Sequence, residues 1–296
     1  MHILVTGASG WIGSAVVPAL LRAGHDVTGL ARSDAATAAV TALGATPRHG
    51  SLDDADGLHA AAAAADGVVH LAYHHDFSQM AEAARMDRRA IDALGSALEG
   101  RGGPLVVAAG VLGLATGRTG TERDRPDPAI HPRVANAQAA LDLADRGVRA
   151  SVVRFAPTVH GVGDDGFVPE LIRAARRQGA SGHVGDGTSR WPAVHRADAA
   201  ELVRLAVDGA PAGSVLHAVG DEGIASRAIA EAIGDGLGVP VVAVPAERAA
   251  EHFGWIGGFF GLDCAASNTL TRELLGWEPV HPGLLDDLKQ GHYFGG

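Results

Sequence analysis

The sequence predicts an α/β protein with a doubly wound parallel sheet, a fold in which helices cover both faces of the sheet. Three observations support this class. A glycine-rich turn follows a short apolar segment at the start of the chain, and apolar and helical segments alternate through the first half. The chain has 296 residues, 47% hydrophobic and 20% charged, which is typical of a globular protein with a sizeable core.

The glycine-rich turn lies between a predicted strand at residues 3–5 and a helical pattern at 14–23. Gly7 permits a tight turn, Gly10 lets the backbone approach a pyrophosphate, and Gly13 lets the helix pack closely on the strand. The N–H groups at the start of the helix then face the phosphates. Strand, glycine turn and helix in this order predict a dinucleotide site. The contacts expected from this turn include the intervening residues Ser9, Trp11 and Ile12.

Strand and helix patterns continue to alternate after this turn. Strands are predicted at residues 26–30, 45–48, 67–71, 105–109 and 150–155, and helices at 34–43, 54–65, 80–99 and 133–146. The second half is less regular, with a strand predicted at 191–195 and a helix at 198–207. We expect a large cofactor lobe over residues 1–160, joined by a return segment near 192–220. A smaller, mainly C-terminal substrate lobe would comprise residues 161–191 and 221–296.

The charge and cysteine content argue against several classes of partner. There are 24 basic and 34 acidic residues, which gives a net charge of −10. Such a chain is a poor match for nucleic acid or anionic membranes. Cys264 is the single cysteine, and no apolar stretch reaches the ~18–20 residues of a membrane span. Because the chain starts with a strand rather than a signal peptide, we expect a cytoplasmic protein.

Further motifs point to one family. They are Val-Val-His-Leu-Ala at residues 68–72, Gly-Val-Gly-Asp at 161–164, Val-His-Arg-Ala-Asp-Ala at 194–199 and Leu-Gly-Trp-Glu-Pro at 275–279. With them the whole chain resembles a short-chain dehydrogenase/reductase of the extended or atypical type, similar to NAD-dependent epimerase/dehydratase proteins. The resemblance implies a Rossmann-type lobe, a nicotinamide dinucleotide and a substrate bound between the two lobes.

The end of the second strand bears on the choice of dinucleotide. NAD sites usually carry an acidic residue about 20 residues after the glycine turn, whereas this chain has Arg32 followed by Ser33. A guanidinium and a hydroxyl suit a 2′-phosphate, so we expect NADP(H); the alternative is that Arg32 is an ordinary surface cation. The resemblance implies adenine contact by Asp53, for which a helix N-cap is the alternative. It also implies cofactor contacts after the next three strands, at Leu52, Leu71, Ala72 and Ala109.

The catalytic motif of the family's reductases does not occur in this sequence. Those enzymes use a tyrosine as acid/base, a lysine four residues later, an upstream serine and an asparagine. This chain has two tyrosines, Tyr73 and Tyr293, and one lysine, Lys289, so the spacing Tyr-x-x-x-Lys is impossible. Matched by position, the serine, asparagine, tyrosine and lysine correspond to Ala109, Asp87, Arg133 and Ala137.

Other polar residues are candidates for the missing proton donor. Tyr73, His75 and Asp76 follow the fourth strand, with His74 as a substrate contact, and loops at the carboxyl ends of parallel strands bind ligands. The alternative is that Tyr73 packs in the core and the following residues cap a helix. Asp87 is a second candidate acid if burial raises its pKa; the alternative is a solvated helix residue.

Further substrate contacts are predicted at Arg133, His160, Trp191 and Trp255. An arginine is suited to stabilising a developing oxyanion, and His160 fits packing or cofactor positioning better than catalysis. Trp255 belongs to a segment whose glycines disfavour a regular helix, so we expect it in a cleft wall. The histidines lack ligand spacing with further partners, and no metal is expected.

Together these features favour an NADP(H)-dependent oxidoreductase that acts on a small carbonyl or imine compound through a non-standard proton donor. One alternative is a dinucleotide-binding sensor or regulatory protein without turnover. Another is an epimerase or dehydratase, although such relatives usually also need the tyrosine. In extended relatives the helices matching 80–99 and 133–146 pair in a dimer, and the sequence leaves monomer and homodimer open.

Overall fold

The computed structural model describes residues 1–74, 79–115, 117–127 and 132–295. Strands and helices alternate regularly through the first half. They are β1 (His2–Thr6), α1 (Gly13–Arg22), β2 (Asp26–Ala31), α2 (Asp34–Ala42), β3 (Thr46–His49), α3 (Ala55–Ala63), β4 (Gly67–His70), α4 (Met80–Leu98), β5 (Pro104–Gly110), α5 (Pro132–Asp142) and β6 (Arg149–Phe155).

The second half is built from shorter elements. They are β7 (Thr158–His160), α6 (Phe167–Gln178), β8 (Ser181–Val184), β9 (Arg190–His195), α7 (Arg196–Gly209), β10 (Ser214–Ala218), β11 (Asp221–Ala225), α8 (Ser226–Leu237), β12 (Val241–Val244), α9 (Ala249–Phe253), α10 (Gly257–Phe260), α11 (Thr269–Leu275) and α12 (Leu284–Lys289).

Within the described ranges, seven parallel strands form the central sheet in the order β3-β2-β1-β4-β5-β6-β10. This confirms the predicted doubly wound, Rossmann-type fold. The strand order reverses between β1 and β4, which lie side by side. Ligands bind to such sheets outside the carboxyl ends of the strands at this reversal. The turn after β1 and the segment after β4 therefore border the same crevice.

The alternation of side chains along β1 distributes the core over both faces of the sheet. Ile3 and Val5 belong to an apolar cluster that includes residues of α1 and α7. Leu4, between them, belongs to a second cluster with residues of α3 and α4. A third cluster joins α6, α8, α12 and β9 in the C-terminal part of the chain.

The short elements of the second half differ most from the sequence prediction. β7, β8, β10, β11 and β12 contain three to five residues each and were not predicted. The helix expected over 133–146 ends at Asp142 and continues as a 3-10 turn, which Gly147 ends with a φ of 74°. β10 lies in the predicted return segment and pairs with β6; the bounds of the two lobes stay a prediction. Among the described helices, none has the length and apolar character needed to cross a membrane.

The glycine turn supplies a test of the fold. A Cβ atom on Gly13 would lie 2.0 Å from the Gly7 carbonyl oxygen, whereas a Cβ atom on Gly10 would lie 3.3 Å from it. We expect Gly13→Ala to lower the free energy of unfolding by about 3 kcal/mol or more, because neither backbone segment has room to move. Gly10→Ala is the matched control and should keep nearly the wild-type stability. Urea unfolding followed by circular dichroism measures both, and equal stability of the two variants would contradict this account.

Candidate functional site

The turn after β1 is packed against the segment that follows β4. Gly7 has a φ of +70°, and a Cβ atom there would lie 2.8 Å from the backbone nitrogen of Ala72. That nitrogen donates a hydrogen bond to the Thr6 hydroxyl at 3.2 Å. The first turn of α1 carries no acidic side chain. The glycine turn and the start of α1 therefore form a narrow backbone cradle at the positive end of a helix, without acidic side chains in its first turn, which fits the phosphates of a dinucleotide.

Arg32 and Ser33 follow β2, the other neighbour of β1 in the sheet, and are exposed. The Ser33 hydroxyl accepts a hydrogen bond from the Ala36 nitrogen at 3.3 Å and so caps α2. The N-cap of α3 is Asp54, whose carboxylate accepts from the Gly57 nitrogen at 2.9 Å. The alternative role considered for Asp53, capping this helix, is thus wrong; its adenine contact stays a prediction, as do the contacts of the remaining cofactor residues.

A buried chain of hydrogen bonds links the ends of β1 and β4 to α4 and α5. Thr6 and His70 are register neighbours, and the Thr6 hydroxyl lies 2.8 Å from His70 Nδ1. His70 Nε2 lies 3.2 Å from Asp87 Oδ1, and Asn136 Nδ2 donates to Asp87 Oδ2 at 2.7 Å. Because a carboxylate only accepts, His70 Nε2 carries the proton. The Thr6 hydroxyl bonds to the other ring nitrogen, Nδ1.

Asp87 differs from both expectations. Its side chain is 2% exposed, so it is not a solvated helix residue. Burial raises the pKa of the Asp87 carboxyl, but the hydrogen bond and charge of His70, the charge of Arg133 and the hydrogen bond from Asn136 outweigh burial and leave the pKa below its ordinary value. The condition under which Asp87 was expected to act as an acid, a pKa raised by burial, is therefore not met.

Arg133 and Tyr73 form a stacked pair beside this chain. The Arg133 guanidinium carbon lies 4.0 Å from the centre of the Tyr73 ring, and Arg133 Nη2 donates to the Ala108 carbonyl at 3.0 Å. Burial lowers the pKa of Arg133, while the charges of Asp87 and Tyr73 oppose that shift; a guanidinium stays protonated nonetheless. Burial raises the pKa of the Tyr73 phenol, Arg133 lowers it in part, and Asp87 adds to the rise.

Of the group predicted after the fourth strand, the structure describes Tyr73 and His74, which is half-buried; His75 and Asp76 lie outside the described residues. Ala109 is half-buried at the end of β5. Thr6, His70 and Asn136 were not predicted from the sequence. The sequence did draw attention to the places of two of them, since His70 lies within the motif at residues 68–72 and Asn136 lies one helical turn after Arg133. Their contacts with Asp87 could not be predicted, because they span 17 and 49 positions of the chain.

Two predicted substrate contacts lie in the core. Trp191 is 1% exposed, and its indole nitrogen donates to the Thr158 hydroxyl at 2.8 Å. His160 is fully buried, with Nδ1 2.8 Å from Asp287 Oδ2. Substrate contact by either side chain does not agree with this burial, and packing accounts for both. Trp255, in contrast, is 48% exposed.

Histidines from distant parts of the chain meet beside β9. His195, Asp198 and His281 have possible ligand atoms within 4.8 Å of one another, a grouping that sequence spacing did not reveal. The His195 and His281 rings are stacked with an angle of 8° between them. Asp198 accepts from His281 Nδ1 at 2.7 Å and from the backbone nitrogens of Val280 and His281. These bonds anchor the segment before α12 to the start of α7.

The chain is similar to known proteins along its whole length. The model of the NAD-dependent epimerase/dehydratase family matches residues 3–100. An uncharacterised protein of Schizosaccharomyces pombe is 46% identical over 296 residues, covering 99% of this chain and 100% of that protein. An uncharacterised protein of Saccharomyces cerevisiae is 40% identical over 295 residues, covering 99% of both. A 4-hydroxy-2-methyl-3-oxo-4-farnesyl-3,4-dihydroquinoline-1-oxide ketoreductase of Stigmatella aurantiaca is 28% identical over 269 residues, covering 86% of this chain and 80% of that protein.

Solved structures share the fold. The dTDP-glucose 4,6-dehydratase DesIV of Streptomyces venezuelae, with NAD and TYD bound, superposes with a TM-score of 0.77 at 21% identity, covering 99% of this chain and 96% of that chain. A UDP-glucose-4-epimerase of Stenotrophomonas maltophila, with NAD and a sugar nucleotide bound, gives 0.76 at 20% identity, covering 99% and 97%. By its motifs, its fold and these relatives, the chain belongs to the NAD-dependent epimerase/dehydratase family.

Proposed function

We propose that this protein is a reductase that uses a nicotinamide dinucleotide, NADP(H) by preference, to reduce a small, apolar carbonyl or imine compound. The observation that carries the proposal is the Tyr73–Arg133 pair, with the guanidinium stacked on the phenol ring. Tyr73 follows β4, which lies beside β1 and its glycine turn. The phenol and the cofactor cradle therefore share one edge of the sheet.

The glycine turn and the relatives support the cofactor. Gly7 and Gly13 hold the backbone in the close approach that a dinucleotide cradle needs. DesIV has the same fold and was solved with NAD bound, and the Stigmatella relative is named a ketoreductase. When bound, a nicotinamide supplies the hydride, so the residues of this chain have to supply the proton and the orientation.

Tyr73 fits the part of the proton donor. Its raised pKa keeps the phenol protonated at neutral pH, as an acid in the reducing direction requires. When the phenol gives its proton to the substrate oxygen or nitrogen, negative charge develops on Tyr73 beside the Arg133 guanidinium. That cation stabilises the phenolate and does not itself transfer a proton, because arginine remains charged. An imine nitrogen that arrives protonated makes less demand on this donor.

Asp87 acts by positioning the pair. Its charge acts on Arg133, and its two oxygens are held by His70 and Asn136. These bonds fix the carboxylate between α4 and α5, so that the charge balance of the guanidinium does not depend on solvent. An arginine held in this way keeps its face against the Tyr73 ring.

The aromatic side chains favour a substrate with an apolar body. The exposed Trp255 lies 5.5 Å from Phe167, ring centre to ring centre, and Phe167 lies 5.7 Å from the buried Trp191. Trp191 is bonded to Thr158, shortly after β6. The aromatic group thus extends from the exposed Trp255 inward to the core, and its exposed end offers an apolar surface to a substrate.

A second candidate is a dinucleotide-binding sensor without turnover, which the absent Tyr-x-x-x-Lys spacing favours. Both candidates require that the protein bind a dinucleotide. They differ in that a reductase oxidises NADPH when a carbonyl or imine substrate is added, and a sensor does not.

Tyr73→Phe should lower the rate of substrate-dependent NADPH oxidation by about 10²–10⁴-fold, the usual contribution of a general acid, and leave the dinucleotide affinity unchanged. The wild-type rate should stay constant through neutral pH and fall only above the ordinary phenol pKa of 10.0, because the pKa of Tyr73 is raised. Absorbance at the NADPH band, over a panel of carbonyl and imine compounds, measures both effects.

The matched control is Tyr293→Phe. The Tyr293 hydroxyl bonds to Asp164 and Gly161, and Tyr293 is not part of the Tyr73–Arg133 pair. This variant should change the rate far less. If Tyr73→Phe keeps the wild-type rate on a substrate that the wild type reduces, Tyr73 is not the donor. If no compound on the panel accelerates NADPH oxidation although NADPH binds, the sensor is the better description.

Asp87→Asn should lower the free energy of unfolding at pH 7 by about 2–3 kcal/mol, because charge-assisted hydrogen bonds are lost in a buried place. The folded-state pKa of Asp87 is lowered, so its contribution is present above the unfolded pKa of about 4 and is lost as the pH falls through the folded pKa. The difference between wild type and variant in urea unfolding should therefore shrink below about pH 4. Asp92→Asn on the same helix, where Asp92 forms an exposed pair with Arg88, should have little effect at either pH; equal effects of both variants would refute the assignment.

Arg32→Ala should reduce the preference for NADPH over NADH by about tenfold or more, the usual worth of a charge-assisted hydrogen bond. Isothermal titration with both dinucleotides gives the preference as a ratio of dissociation constants. Arg22→Ala serves as the control, because it removes an exposed arginine in the last turn of α1, whereas the glycine turn precedes the first turn of that helix. An unchanged ratio in Arg32→Ala would show that this arginine does not read the 2′-phosphate.

A further inference from the structure

We propose that Arg196 is a further cofactor-binding residue, which holds the phosphate groups of the dinucleotide against the start of α1. The inference rests on the proposed function, because it requires a dinucleotide at the glycine turn. Arg196 is the first residue of α7 and lies 182 positions after the helix start that it contacts. Neither the spacing of the glycine motif nor the end of β2 points to it.

The contacts of Arg196 place its guanidinium at the cradle. Its central carbon lies 4.0 Å from the centre of the Trp11 ring, in the middle of the glycine turn. Its Nη2 donates to the Ser14 hydroxyl at 2.5 Å, in the first turn of α1. The Ser14 hydroxyl in turn donates to the Gly10 carbonyl at 2.7 Å, and Trp11 Nε1 donates to the Val159 carbonyl at 2.7 Å. Arginine, tryptophan and serine thus form one fixed group on the turn.

The group carries a positive charge without an acidic counterpart among the described residues. Arg196 Nε is buried and has no hydrogen-bond partner there, and the first turn of α1 contributes no acidic side chain. Burial lowers the pKa of Arg196, and no carboxylate opposes that shift. Other arginines of the chain differ: Arg190 pairs with Asp263, and Arg204 pairs with Glu201.

This arrangement is electrostatically unfavourable unless an anion binds. The N-terminus of a helix carries partial positive charge and disfavours a cation beside it. Here a half-buried guanidinium lies against such an N-terminus in a chain whose net charge is −10. Acidic residues are plentiful in the sequence, yet none of them pairs with Arg196 among the described contacts. A phosphate is the anion that both the helix start and a planar guanidinium bind well.

The choice of arginine also fits. A guanidinium can keep its face on an aromatic ring while its edge donates hydrogen bonds to phosphate oxygens. The Ser14 hydroxyl already donates to Gly10 and accepts from Arg196, so it fixes the guanidinium rather than competing for the ligand. The bridging diphosphate of the dinucleotide is the group expected at this end of α1.

The experiment measures dinucleotide binding by isothermal titration, without substrate. Arg196→Met keeps an apolar side chain on Trp11 but removes the charge, and should weaken binding by about 10- to 100-fold, as the loss of charge-assisted hydrogen bonds does. Arg196→Lys keeps the charge and should lose clearly less affinity. Raising the salt concentration should weaken binding by the wild type more than by Arg196→Met, since screening acts on the charge.

Arg204→Met, on the same helix, is the control and should bind like the wild type. Thermal unfolding of each variant verifies that it is folded. Affinity of Arg196→Met within twofold of the wild type would overturn the inference, and so would equal losses in the Lys and Met variants, because the residue would then act through Trp11. If the wild type itself binds neither NADPH nor NADH, it is the proposed function that fails.

Discussion

The arrangement of the site depends on one largely desolvated positive charge. The Arg133 side chain is half-buried at the carboxyl edge of the sheet, burial lowers the pKa of its guanidinium, and such a charge is unfavourable unless it is bonded and balanced. The Ala108 carbonyl takes one of its donors, the Tyr73 ring covers its face, and Asp87 balances its charge. Asp87 is itself buried and needs partners, which His70 and Asn136 provide. The partners that stabilise this one cation thus come from β4, β5, α4 and α5.

The tyrosine and its neighbouring cation are placed differently here from those of a Tyr-x-x-x-Lys enzyme. A lysine four residues after the tyrosine lies on the same helix and lowers the pKa of the phenol. Here the tyrosine follows β4 and the cation lies on α5, so that two separate elements bring them together. Burial of Tyr73 outweighs the effect of Arg133, and the phenol pKa is raised. A phenol with a raised pKa donates a proton more readily than it accepts one at neutral pH, which is why we propose reduction rather than oxidation.

The sequence predicted six of the seven strands of the central sheet, because strands such as β1, β4 and β5 are short apolar runs between helical patterns. In the second half the sequence predicted β9 but missed β7, β8, β10, β11 and β12, because three to five residues carry too little periodicity to be distinguished from loops. For the site, the sequence indicated Asp87, Arg133 and Tyr73 but not how they are connected. Asp87 shows the reason. Whether the pKa of its carboxyl is raised or lowered depends on partners 17 and 49 positions away, which only the fold brings together. Trp191 shows the converse, since an aromatic near a cleft and an aromatic in the core look alike in sequence.

Arg133 and Arg196 are both half-buried, but only Arg133 has an acidic partner among the described residues. Arg133 is balanced by Asp87 within the protein, so its charge is part of the permanent structure. Arg196 has no such counterpart among the described residues, although it stacks on Trp11 and bonds to Ser14 in the same manner. An internal partner for Arg196 would have to be displaced before a phosphate bound, and the ligand would lose the corresponding free energy. A cation that is rigidly held but left unbalanced is preorganised for an anionic ligand, whereas a balanced one is preorganised for a neutral neighbour whose charge changes during the reaction.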